Sequence, residues 1–398
     1  MATWLRKSAP VAAVLAFSSV GCGPDSRLGA WAGEVDTLPS GTVVVHNTGA
    51  GVWDSASAWR VVEDLRIGSA EGDGPRSLNQ IAALRVDPAG RMYVLERQVQ
   101  EIRVFDSTGK YVRTIGRKGS GPAEFQEAIG MDWDRAGRLW VVDQRNARFS
   151  VFDTSGRLVL EYPRPFSMFF TWTWGGAIDS AGRLYEMYST FGPSDRSVLL
   201  RLDSELKVSD TLPLPKYEGE VYKIERPGMR VSAMVPFTPT LVWRFDPRGY
   251  VWFGTTAPYR IYQRRLEGDT LRIIERTYDA VAVTARDEDS ALANFKWFTD
   301  QGGKVDRSRI PDVMPAFKGL FVDDRGDLWV EPVIKDEGRQ PFDVFDPEGR
   351  YLGRVRSDVR LLLNPAPVFR GNRLYGVTHD EDGVPYVVRA RIAGGQRH

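Results

Sequence analysis

Cysteine is nearly absent. Cys22 is the single one in 398 residues, so no intramolecular disulfide can form and the fold must rest on packing and hydrogen bonds. Histidine is almost as scarce: only His46, His379 and His398 occur, too few and too scattered for a three-imidazole zinc site. No charge of one sign prevails, because 53 basic residues face 52 acidic ones, which gives no reason to expect nucleic acid as a partner. No Gly-x-Ser-x-Gly elbow is present, and Ser–His–Asp catalysis would have to draw on His46 or His379. The glycine-rich stretch from Gly116 to Gly121 lacks the Gly-Lys-Ser/Thr ending of a phosphate loop.

Glycine (39 residues) and proline (24) are plentiful instead, aromatics make up 11%, and helix-like stretches are few, as suits short strands between turns. A motif recurs six times: Asp87-Pro-Ala-Gly-Arg-Met-Tyr93, Asp134-Arg-Ala-Gly-Arg-Leu-Trp140, Asp179-Ser-Ala-Gly-Arg-Leu-Tyr185, Asp246-Pro-Arg-Gly-Tyr-Val-Trp252, Asp323-Asp-Arg-Gly-Asp-Leu-Trp329 and Phe369-Arg-Gly-Asn-Arg-Leu-Tyr375. Each is a tight turn followed by a strand whose aromatic residue belongs to the core. Gly90, Gly137, Gly182, Gly249, Gly326 and, in the sixth copy, Asn372 occupy the position that favours positive φ. A second hairpin follows in several copies, as in Val104-Phe-Asp-Ser-Thr-Gly109, Val151-Phe-Asp-Thr-Ser-Gly156 and Val344-Phe-Asp-Pro-Glu-Gly349.

Two hairpins make four antiparallel strands per unit, and a period near ~40–50 residues is that of a propeller blade. The expected fold is therefore all-β, a six-bladed β-propeller over residues 41–394 with a short tail at 395–398. Blade six lacks a fourth strand, while Trp59-Arg-Val-Val-Glu-Asp-Leu-Arg-Ile67 precedes blade one as a spare, so an N-terminal strand is expected to close the ring. Two inserts, near 213–240 and 278–317, join a fourth strand to the next blade. The second contains Thr284-Ala-Arg-Asp287, a capping-box start before a short helix.

The beginning of the chain differs in kind. Arg6 and Lys7 precede an apolar run from Ala9 to Phe17, too short to remain as a spanning helix, and small residues lead to Cys22. Residues 1–21 read as a signal peptide, and Ser19-Val-Gly-Cys22 resembles the bacterial lipoprotein processing box, although Ser19 stands where an aliphatic residue is usual. The resemblance implies lipid attachment at Cys22 and a tether over residues 22–40; ordinary secretion is the alternative. Gly23, and not Asp, follows the cysteine, which under the enterobacterial sorting rule implies the outer membrane.

Val141-Val-Asp143-Gln-Arg-Asn146-Ala-Arg148-Phe-Ser-Val-Phe-Asp153 resembles the NHL repeat, and Ile115-Gly-Arg-Lys-Gly-Ser-Gly-Pro122-Ala-Glu-Phe125 is similar to that family's connecting motif. The chain looks most like bacterial six-bladed propeller lipoproteins of the NHL or TolB-like type, a group that implies architecture more than activity. For Asp143, Asn146 and Arg148 the first expectation is loop closure through backbone hydrogen bonds.

Strand directions place all tight turns on one face and the variable loops on the other, where binding residues concentrate. Candidates there are Glu96, Asp143 and His379 at second-strand ends, Arg145 in the following loop, Trp172 and Trp174 in an aromatic stretch, Tyr222 in the first insert and Trp297 in the second. No catalytic residue and no resident cofactor are expected, although oxygen ligands leave room for a divalent cation such as calcium in the channel. The expected role is a binding platform for an envelope protein, peptide or glycan, with the lipid on Cys22 as membrane contact. The competing role is a metal-assisted hydrolase, lactonase or lyase using carboxylates at the channel mouth.

Overall fold

The computed structural model describes residues 30–54, 57–72, 74–164, 174–189, 197–215, 219–335 and 338–394. The expected signal segment, Cys22, Trp172 and the tail at 395–398 lie outside them.

Three strands precede the first repeat: β1 (Gly33–Thr37), β2 (Val43–Asn47) and β3 (Arg60–Ile67). Blade one is β4 (Ile81–Val86), β5 (Met92–Glu96), β6 (Glu101–Phe105) and β7 (Tyr111–Ile115). Blade two follows as β8 (Ala128–Trp133), β9 (Leu139–Asp143), β10 (Arg148–Phe152) and β11 (Leu158–Pro163). Blade three is β12 (Ala177–Ile178), β13 (Leu184–Ser189), β14 (Ser197–Leu202) and β15 (Val208–Pro213). A separate hairpin, β16 (Val221–Arg226) and β17 (Met229–Met234), occupies the first insert.

Blade four is β18 (Leu241–Asp246), β19 (Tyr250–Thr255), β20 (Arg260–Arg265) and β21 (Thr270–Arg276). The second insert carries helices α1 (Ala285–Ala293) and α2 (Lys296–Thr299), and α1 begins with the capping box between Thr284 and Asp287. Blade five comprises β22 (Phe317–Val322), β23 (Leu328–Pro332), β24 (Gln340–Phe345) and β25 (Tyr351–Ser357). The last sheet has β26 (Val368–Arg370), β27 (Arg373–His379) and β28 (Pro385–Ala393), and β3 pairs antiparallel with β28 along its length.

Each repeat motif has a common physical basis. In blade one, Oδ1 of Asp87 accepts from the backbone N–H groups of Ala89 and Arg91, both at 2.9 Å, which fixes the turn. The other carboxylate oxygen takes the donor of the aromatic six residues on: Trp140 Nε1 reaches Asp134 at 2.9 Å, Trp252 Nε1 reaches Asp246 at 3.0 Å and Tyr185 Oη reaches Asp179 at 3.3 Å. The motif is thus a turn and a core anchor in one unit. Tyr93, Tyr185, Trp252, Trp329 and Tyr375 are buried, and Trp140 is partly so. The sixth copy departs from expectation. Arg370 pairs directly with Arg373, leaving a two-residue loop in which Gly371, not Asn372, takes the positive φ of 60°.

The core is divided among the seams between successive sheets. Tyr93 and Leu95 meet Met131 and Phe152; Val142 and Phe149 meet Ile178 and Leu200; Tyr185 and Leu212 meet Val251. Trp252 and Ile261 meet Leu328 and Phe345, Trp329 and Phe342 meet Leu374 and Val388, and Tyr375 and Val387 return to Leu84 and Val94 of blade one. Blade six therefore packs on blade one and the six blades form a ring, with blades five and six joined into one eight-stranded sheet where β3 also pairs with β25.

The N-terminal segment differs from the expected tether. β1 pairs with β2, and β2 runs parallel to β21, so residues 33–47 widen blade four to six strands. Its alternation, Glu34-Val-Asp-Thr37, is polar because an outermost strand needs no apolar face, which is why the stretch reads as linker.

Candidate functional site

Asn47 ends β2 and is almost wholly buried. Its amide nitrogen donates to the carbonyls of Glu275 at 3.1 Å and Gly349 at 3.0 Å, and its Oδ1 accepts from Tyr351 N at 2.7 Å and Trp31 Nε1 at 2.9 Å. One side chain therefore binds the N-terminal strands to blades four and five. Trp53 continues the strap, donating its backbone N–H to Leu352 O at 2.8 Å and setting its ring 4.5 Å from that of Trp59 at a tilt of 41°.

Beneath this strap lies a buried polar network. Asp343, on β24, is fully enclosed. It accepts from Tyr259 Oη at 3.1 Å, Tyr351 Oη at 3.0 Å, and Arg354 Nε and Nη2 at 2.8 and 3.4 Å. Arg276, the last residue of β21, stacks 4.0 Å above the Tyr351 ring and stands 3.6 Å from Asp343 Oδ2. Burial, with Asp343 adding to it, holds the Tyr259 and Tyr351 hydroxyls well above the ordinary phenol value, so both stay protonated and donate. Arg354 is raised despite its desolvation, through its hydrogen bond to Asp343.

Two contiguous cavities open over this network. The larger, about 500 Å³, is walled by Arg276, Tyr278, Ala316, Val333, Tyr351 and Arg354 among others, and the smaller, about 280 Å³, by His46, Pro258, Arg260 and Glu275. Tyr259, Arg276, Thr277 and Tyr278 border both. The position is the seam between blades four and five on the loop-rich face, where β21 and β23 end and β22 begins.

The residues expected from sequence fare unevenly. Glu96 and Asp143 are fully buried and directed at the preceding loop. Glu96 accepts from the N–H groups of Asn79, Gln80 and Gln98, and Asp143 from those of Gln126 at 2.9 Å and Glu127 at 3.0 Å and from Asn146 Nδ2 at 2.7 Å. Carboxylates so occupied cannot also hold a ligand, and their assignment as ligand contacts is corrected on that ground. Asn146 and Arg148 complete the same closure, donating to Gly119 O at 3.1 Å and Glu124 O at 2.7 Å.

Arg145 and His379 are exposed on separate blades and are not brought together. Trp174 packs into the seam between blades two and three, where a Cβ on Gly130 would meet its own Cβ at 2.3 Å. Tyr222 is buried within the inserts, donating to Asp306 O at 2.7 Å beside Phe295 and Phe298, so it is core and not surface. Trp297, half exposed at 50%, stays available. Among the described residues no group of three or more His, Cys, Asp or Glu could hold a metal ion. No described helix is long and apolar enough to cross a membrane.

Sequence reasoning missed Asn47, Tyr259, Arg276, Asp343 and Arg354. Asp343 sits three residues before the Asp346 of a repeated Val-Phe-Asp motif, and nothing local distinguishes it.

Comparison with known proteins supports the fold. A family model described as a six-bladed β-propeller matches residues 77–172, the region of blades one and two. None of the curated proteins matches this sequence. Among solved structures, a Bacteroides fragilis protein classed as exported is similar at a TM-score of 0.51 and 13% identity, over 88% of this chain and 99% of that one. Virginiamycin B lyase of Staphylococcus aureus is similar at 0.43 and 10% identity, over 83% and 99% of the two chains. A gluconolactonase of Xanthomonas campestris is similar at 0.44 and 14% identity, over 87% and 98%. The likeness to the Bacteroides fragilis protein is one of fold, and the enzyme activities named belong to the other two proteins.

Proposed function

We propose that this chain is an exported, lipid-anchored propeller of the NHL or TolB-like type whose loop-rich face is a binding platform for a protein, peptide or glycan of the cell envelope. The observation that carries the reading is the fusion of the two inserts into one body. Tyr222, Ile224 and Val235 of the first share a core with Phe298 and Ile310 of the second, and Arg309 reaches back to Val221 O at 3.1 Å. Segments distant in sequence, both entering from the loop-rich face, have acquired a joint core. A scaffold that only needed to close its ring would have no use for such an addition. Binding is favoured over metal-assisted hydrolysis because Glu96 and Asp143 are committed to backbone amides.

Hydrogen exchange of the protein in native envelope extract tests this reading. Protection should appear at 219–235, 276–313 or 333–335; protection confined to the tight turns, or none anywhere, would count against it. Anchoring through Cys22, at the outer membrane because Gly23 follows, should give detergent-phase partitioning that Cys22→Ala abolishes. The N-terminal strand β3 serves in this reading to close the ring, so deleting residues 23–68 should unfold the protein cooperatively. A stable truncated propeller would refute that role.

A further inference from the structure

We propose that the cavity at the seam of blades four and five is a binding site for a small ligand bearing an oxyanion, a carboxylate or a phosphate, with Arg276 as its principal contact. The inference rests on the reading of the loop-rich face as the binding face and gives that face a chemistry.

The argument is one of charge and unused donors. Asp343 has two oxygens and already accepts four hydrogen bonds, from two tyrosines and Arg354, which exhausts its capacity. Arg276 therefore stands 3.6 Å away without a direct bond to it. Its Nη1 donates to Thr277 O at 3.2 Å, and its buried Nε has no acceptor among the described residues. Two guanidinium groups share one carboxylate, and the Tyr351 face offsets the remaining positive charge only in part.

Arg276 lines the cavity with hydrogen-bonding capacity that an incoming oxyanion can use. The other charges on the cavity wall are Arg354, which is bonded to Asp343, and Asp279, which is exposed at the rim and screened by water. Glu275 is engaged by His46 at 2.8 Å and by Arg260, and faces the smaller cavity. The remaining wall, with Ala316, Pro332, Val333 and Ile334 opposite Tyr278, suits the carbon skeleton of a ring-sized body. About 500 Å³ lies within the range of small-molecule sites, roughly 300–1,000 Å³. The network beside Arg276 is hydrogen-bonded throughout, with the buried Asp343 taking both tyrosine hydroxyls and Arg354.

Saturation-transfer NMR on the full chain tests the assignment with three probes: galacturonate, its neutral counterpart galactose, and inorganic phosphate as competitor. Galacturonate, phosphate or both should bind, with galactose at least about ten-fold weaker. Binding by phosphate alone identifies a phosphoryl ligand, and binding by galacturonate alone a carboxylate. Arg276→Met should reduce anion binding about ten-fold or more. Val333→Trp, which fills the cavity without touching the charges, should do the same, so a misfolded Arg276 variant leaves the test intact. Equal binding of galactose, no binding of either anion at millimolar concentration, or anion binding that survives both substitutions would overturn the proposal. Exchange protection at the inserts without anion binding would sink this inference alone and leave the platform reading standing.

Discussion

Replacing Asn47 by alanine is the most direct test of how the N-terminal strap is held. The substitution removes the acceptor of Tyr351 N–H, a buried donor, at a cost of about 1–3 kcal/mol. It also removes two donations, to Glu275 O and Gly349 O, each contributing about 0.5–1.5 kcal/mol. The Trp31 contact adds little because Trp31 is partly exposed. The sum is about 2–6 kcal/mol, a large share of the ~5–15 kcal/mol that stabilises a typical protein. Asn47→Asp keeps the acceptor and the shape but sets a negative charge against two carbonyls, so it should cost at least as much. Urea unfolding followed by both circular dichroism and tryptophan fluorescence reads the global effect, and hydrogen exchange at residues 43–47 reads a local one. If Asn47→Ala changes neither the midpoint nor those amides, the reading of Asn47 as the clasp is wrong.

Arg164 and Glu186 form a bidentate pair at 3.1 and 2.8 Å with side chains 2% and 1% exposed. Arg164→Met should destabilise by about 3–5 kcal/mol in a denaturation series, and pairing it with Glu186→Leu should recover much of the loss; no recovery would mean the pair is not the reason. Burial pushes the Tyr185 hydroxyl up to about 12. A raised folded value means the stability is whole below pH ~10 and is lost as pH rises from there toward 12, by ~1.4 kcal/mol per pH unit. Tyr185→Phe should therefore narrow its deficit against wild type over that window, and a constant difference in urea midpoint would contradict the assignment.

The blades are legible in the sequence because their cause is local. An aspartate that fixes a turn with Oδ1 and receives an aromatic donor six residues later on Oδ2 must appear as a fixed spacing, and it does so five times. The sixth turn was misplaced by one residue because Phe369 removes the aspartate that sets the register. The capping box at Thr284 was legible for the same local reason. By contrast, Asn47 bonds to residues 228, 302 and 304 positions away, and no window of sequence contains both ends. Glu96 and Asp143 were visible as unusual carboxylates, but whether a carboxylate faces a loop amide or a ligand depends on the path of the loop. The cavity was hidden altogether, since its walls come from the strap, two blades and the root of the second insert.

The strap also imposes an order in time. Residues 33–67 leave the ribosome, or emerge from a membrane channel, before the strands of blades four to six with which β2 and β3 pair. At synthesis rates of about 5–20 residues per second, Asn47 waits on the order of ten seconds to a minute for Glu275, Gly349 and Tyr351. Blades one to three can gather meanwhile, but the clasp can shut only after the last sheets arrive. An interruption of synthesis between blades three and four therefore leaves β2 without β21, and one before the last blade leaves β3 without β28.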